Sequence, residues 1–147
     1  MKRWVLLMVL LTTLVLSACN PASQPGAKVN LPLISQLPPS VQKAPTRVRE
    51  AYQFAVAHPD LLRQIPCYCG CGAMGHTSNY ACYVKAVKPD NTETYDEHAL
   101  GCSLCVDITQ DVMRLSGEGE SAQQGVTSAD IRAQIVATYS RFGPPNQ

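Results

Sequence analysis

Cys67, Cys69 and Cys71 occupy alternate positions of the glycine-punctuated run PCYCGCG (Pro66–Gly72), and Cys82, Cys102 and Cys105 follow downstream. Thiols gathered this way can staple a fold, exchange disulfides or bind a soft metal ion. Six is an even number, and a disulfide framework of six cysteines has fifteen possible connectivities. Cysteines two apart in an extended chain, however, hold their Cα atoms near the upper limit for a disulfide, so each of the three would need a distant partner. A metal makes better use of the clustering. Thiolates around a tetrahedral ion each lie roughly 2.3 Å from it, and alternate side chains of a curled run can converge that closely. Gly70 and Gly72, with no Cβ to oppose positive φ, are expected to permit the curl.

A second group supports that chemistry. His98, Cys102 and Cys105 fall at i, i+4 and i+7, which places all three on one face of a helix. Cys82 joins the set as a ligand or thiol partner. His76, next to the triple-cysteine run, is a further candidate because imidazole suits both zinc and copper. His58, before Pro59, reads as a helix-end residue. Met74 is a possible soft donor, and Met113 reads as core. Other thiol signatures fit less well. Val106 follows Cys105, so the C-x-x-C-H haem attachment pattern is absent. A thioredoxin-like pair belongs at a helix N-terminus, whereas Cys102 and Cys105 are expected a couple of turns inside their helix. Zinc ribbons pair two C-x-x-C motifs, and this chain has one.

The donor set defines the class of ion. Six thiolates with one or two imidazoles favour Cu(I), then Zn(II), over hard ions that prefer oxygen. An iron–sulfur cluster is disfavoured, because the leader lacks twin arginines and implies export of an unfolded chain before any cluster could be loaded.

The elements that must position these ligands are mainly helical. Thr46 is expected to cap a helix carrying Val48, Ala51, Tyr52, Ala55 and Val56, broken or kinked at His58-Pro59 before Leu61, Leu62 and Ile65. Thr94-Tyr95-Asp96-Glu97 resembles a capping box, opening a helix whose stripe is Leu104, Ile108, Val112 and Leu115 and whose stop is Gly117. Thr127-Ser128-Ala129-Asp130 offers a third start, followed by Ile131, Ile135, Tyr139 and Phe142. Between the first two lies a loop-rich stretch in which Tyr80–Val87 has the composition of a short strand. The expected fold is mainly α: a small three- to four-helix domain with a Cys-rich irregular segment and room for one short hairpin.

The front of the chain sets the expected compartment. Lys2 and Arg3 precede an apolar run, Trp4 to Leu16, too short for an ordinary spanning helix. It ends in Leu16-Ser17-Ala18-Cys19, which looks like a bacterial lipobox. Residues 1–18 therefore read as a lipoprotein signal peptide and Cys19 as the lipidated residue. Residues 19–45, rich in Pro, Ser and Gln, read as a tether, and residues 46–147 as one Cys-rich helical domain. Asn20 lacks the aspartate that commonly retains such proteins in an inner membrane, so an outer membrane is allowed where one exists. Net charge is +1, without a long basic run, and leaves no footprint for nucleic acid. Glu118 and Glu120 sit in a Gly-rich connection and read as solvated surface.

The segments Ala51–Val84 (AYQFAVAHPDLLRQIPCYCGCGAMGHTSNYACYV) and Glu97–Cys105 (EHALGCSLC) resemble the bacterial family named for its PCYCGC motif, usually predicted as extracytoplasmic lipoproteins. The motif is present in full, and the Gly75-His76, Cys82, His98-Ala99 and Cys102–Cys105 elements follow in the family's order. The resemblance implies metal binding and carries over no activity. The expected function is a membrane-tethered lipoprotein that binds Cu(I), or next Zn(II), for sequestration, delivery or sensing, with a metal-handling or membrane protein partner. The alternative is a thiol–disulfide redox protein or a disulfide-stapled interaction module. No nucleophile elbow, phosphate loop or paired-carboxylate motif supports hydrolytic catalysis.

Overall fold

The computed structural model describes residues 31–117 and 126–146. Residues 1–18, expected to be a signal peptide, and Cys19, Glu118 and Glu120 lie outside the described residues. The body is mainly α, as expected, with six α-helices and one small hairpin among the described residues.

Two features begin earlier or break sooner than the sequence suggests. A 3-10 turn, Ile34–Gln36, and helix α1, Pro39–Gln42, precede Thr46. They bury Leu37 and Val41 against the core, so residues 34–42 belong to the folded body and not to a tether. Helix α2, Thr46–Ala57, has Pro45 as its N-cap, and the Pro45 carbonyl accepts from Val48 and Arg49. Thr46 is thus the first residue inside the helix, one position beyond its expected capping role.

His58 ends α2 with φ −127° and ψ 52°, outside the α region that a following proline disfavours. Pro59 then opens helix α3, Pro59–Gln64, where its missing N–H costs nothing. The next segment carries the cysteines and turns twice in the left-handed region, at Gly70 (φ 75°) and Gly75 (φ 89°). Gly70 performs the expected curl. Gly72 does not, since it begins a 3-10 turn, Gly72–Met74, and Gly75 makes the second reversal.

The expected strand from Tyr80 is shorter. Tyr80–Cys82 is a 3-10 turn, and strand β1, Val84–Val87, pairs antiparallel with β2, Glu93–Tyr95. Cys82 therefore sits before the hairpin and not within it. Ala86 is exposed, so Cys82 does not share an inward face with it.

The largest correction concerns the helix expected through His98 and Leu115. It is two helices, α4 (His98–Gly101) and α5 (Ser103–Leu115), divided at Cys102, whose φ −111° and ψ 93° are extended. Thr94 and Tyr95 belong to β2, so the expected capping box does not form. Asp96 caps instead, its Oδ1 accepting from the His98 amide at 2.8 Å. Helix α6, Ser128–Tyr139, starts as expected: Thr127 and Asp130 form a reciprocal capping box.

Helix α5 lies between α2 and α6, and its buried residues are Cys105, Val106, Ile108, Thr109, Val112 and Leu115. Leu104 is only half-buried, at the edge of the stripe. Tyr52, Phe54, Leu62, Ile65, Ile108 and Ile135 are fully or almost fully enclosed. Phe142 is exposed, outside the stripe it was expected to continue. Among the described residues, no helix is long and apolar enough to cross a membrane.

Candidate metal centre

The loop after α3, the 3-10 turn of Tyr80–Cys82 and the start of α5 meet at one point and bring six thiols together. All six are free. The sulfur of Cys105 lies 3.1 Å from Cys82, 3.3 Å from Cys102 and 3.6 Å from Cys67, and Cys67 lies 3.4 Å from Cys82. A disulfide needs about 2.03–2.05 Å between sulfurs. Four sulfurs at roughly 2.3 Å from a tetrahedral ion stand about 3.8 Å apart. The observed separations lie just inside that tetrahedral edge and far from a bond.

Three overlapping ligand sets result, each with its donor atoms within 4.8 Å of one another: Cys67, Cys69, Cys82 and Cys105; Cys69, Cys71, His76 and His98; and His98, Cys102 and Cys105. Each of the eight cysteine and histidine ligands expected from the sequence, His76 included, is in at least one set. Cys67 and Cys71 share none, so the alternating run feeds two places. His98, Cys102 and Cys105 do converge, but across a helix break and not along one helical face. The break also moves the C-x-x-C pair: Cys102 is the N-cap of α5, at the helix N-terminus and not inside a helix. Met74 is exposed and Met113 packs against the core. His58 stacks on Phe54 at 4.3 Å, in keeping with its helix-end reading.

The thiols do not titrate alike. Hydrogen bonds from Cys105 and Cys82 hold Cys67 far down, to about 2. Cys105 is pushed up by its hydrogen bonds to Cys67 and Cys82 and by burial. At Cys82 the Cys105 hydrogen bond lowers the pKa, but the Cys67 hydrogen bond, burial and the Cys67 charge together outweigh it and the net shift is upward. Burial, followed by the Cys67 hydrogen bond, raises Cys69 to about 11. A cation that binds this cluster would take the place of the thiol protons.

The histidines are held by one carboxylate. Asp96 Oδ2 lies 3.4 Å from His76 Nε2, while its other oxygen takes the His98 amide. The two rings meet edge-on at 4.5 Å. His76 Nδ1 and His98 Nε2 are buried without a hydrogen-bond partner. An orphaned buried polar atom costs about 1–3 kcal/mol, and a soft cation would use both lone pairs. The carboxylate–imidazole arrangement is the one that orients a metal-binding histidine.

Several supporting residues were not foreseen from the sequence. Beneath Cys105, the Asn79 amide and the Tyr83 hydroxyl donate to its carbonyl at 3.2 and 2.9 Å, and Thr109 donates to Asn79 Oδ1 at 2.6 Å. Asn146 donates from its backbone to the Cys67 carbonyl at 2.8 Å and from its side chain to Cys69 Sγ at 3.3 Å and the His76 carbonyl at 3.0 Å. Thr109 stands one helical turn after Cys105, which is a local signal. Asn79 and Asn146 act across long separations and leave none.

Among known proteins, the model of a family described as "Protein of unknown function with PCYCGC motif" matches residues 25–146. No curated protein and no solved structure matches the chain.

Proposed function

The chain belongs to the PCYCGC-motif family, and from that premise we propose that it is a soft-metal-binding lipoprotein, displayed on an extracytoplasmic membrane surface through Cys19. The observation that carries the metal reading is the convergence of six free thiols and two imidazoles with orphaned nitrogens. Such donors select Cu(I) first and Zn(II) next. Sequestration, delivery to a membrane-proximal metal-handling partner, or sensing are the roles open to such a site. The lipobox-like Leu16–Cys19 motif supports the tether.

The test is anaerobic purification of the full chain in detergent, with elemental analysis, native mass and thiol count. Bound copper or zinc with six reduced cysteines is the expected result. A metal-free protein that takes up neither ion sinks the reading. The position of Cys102 at the N-terminus of α5 favours a second reading, a thiol–disulfide redox centre. A metal-free mass with a Cys102–Cys105 disulfide that reforms after reduction would establish it.

A further inference from the structure

The eight ligands are not equivalent. Cys67, Cys82 and Cys105 are fully enclosed, at 0% exposure, and stand on packed elements: the entry to the cysteine loop, the 3-10 turn beside Asn79 and the first turn of α5. The buried Asn79–Thr109–Tyr83 network fixes these elements to one another. Cys69, Cys71, Cys102 and His98 are only half-buried. Cys69 and Cys71 ride on the loop that reverses at Gly70 and Gly75, and His98 and Cys102 flank the four-residue helix α4. The three ligand sets form a closed ring, each pair sharing one residue: Cys69, His98 or Cys105.

The shared residues differ in what they can share. A thiolate has several lone pairs and can bridge two soft ions, so Cys69 and Cys105 can serve two sets at once. A neutral imidazole nitrogen has one lone pair. His98 presents one orphaned nitrogen, Nε2, and can complete either outer set at a given moment but not both.

Building on the soft-metal reading, we infer that the centre is a two-ion device: a sealed inner ion on Cys67, Cys69, Cys82 and Cys105, and one exchangeable rim ion that competes for His98 between Cys69–Cys71–His76 and Cys102–Cys105. The inner ion holds the cysteine loop to α5. The rim ion is the one within reach of a partner, because each of its arms includes half-buried ligands, Cys71 in one, Cys102 in the other and His98 in both, whereas three of the four inner ligands are fully enclosed.

Zn(II) is the probe, since it is tetrahedral and leaves thiols reduced. The full chain in detergent is loaded anaerobically with Zn(II), its native mass recorded, and release into excess chromogenic chelator followed in time. Two ions and two phases are expected. Cys71→Ser combined with Cys102→Ser, one half-buried ligand from each arm, is expected to lose the fast phase and keep the slow one. Cys82→Ser is expected to lose the slow phase, with far-UV circular dichroism reporting whether the helices remain. A single phase, three ions, or loss of both phases in that double variant overturns the division. Binding of Cu(I) but not Zn(II) overturns the tetrahedral inner site. Failure to bind either ion overturns the soft-metal reading beneath it.

Discussion

Asp96 holds both histidines through its side chain, Oδ2 facing the His76 imidazole and Oδ1 accepting from the His98 backbone amide. Asparagine in its place keeps an acceptor for the His98 amide but gives up the carboxylate that faces His76. Asp96→Asn is therefore expected to weaken metal binding by about 10–100-fold, the usual effect of removing such a partner, with little change in the unfolding of the metal-free protein. Competition titration against a chelator of known affinity checks the first half and a denaturant melt the second. Thr109 acts differently. Thr109→Val deprives Asn79 Oδ1 of its donor in a fully buried place, an expected loss of about 1–3 kcal/mol in metal-free stability. Unchanged urea midpoints would show that the network beneath Cys105 carries no energy.

At the scale of elements, the capping box of α6 is expected to matter in proportion to the donors it satisfies: Thr127→Ala should cost about 0.5–2 kcal/mol, read as a lowered melting temperature. Leu37→Ala discriminates between a tether and a folded segment. A buried leucine is worth about 2–5 kcal/mol, whereas a tether residue would leave stability unchanged. These elements differ in how legible they were. Thr127 and Asp130 announced α6 because a cap is local chemistry within four residues. The His58-Pro59 break was equally plain. The division at Cys102 is marked in the sequence only by Gly101, which ends α4, and that single glycine is outweighed by the helical period of Leu104, Ile108 and Val112. The ligands were readable for the same reason as the caps: Cys67 to Cys71 and His98 to Cys105 are close in sequence. Their grouping into three sets was not, since Cys82 reaches Cys105, and Asn146 reaches Cys69, only through the tertiary fold.

The molecule as a whole separates its centre from its core. The apolar body around Tyr52, Phe54, Leu62, Ile108 and Ile135 is closed without any help from a ligand, so metal removal is expected to leave the helices standing. Chelation should change the far-UV spectrum little while lowering the melting temperature, because binding to the folded state alone adds stability by mass action. Collapse of helix signal on chelation would mean that the centre is a scaffold for the fold. The point of attachment between core and centre is Tyr83, wholly enclosed, its hydroxyl on the Cys105 carbonyl and its ring edge-on to Tyr52 at 5.0 Å. The chain's one tryptophan is Trp4, far upstream, and all six tyrosines lie between Tyr52 and Tyr139. Among the described residues, which include all six tyrosines, no indole competes for ultraviolet excitation. Their combined emission, to which Tyr83 contributes from its bond to the Cys105 carbonyl, is thereby expected to serve as a built-in gauge of the sulfur cluster, following the arrival and departure of an ion in real time without a dye.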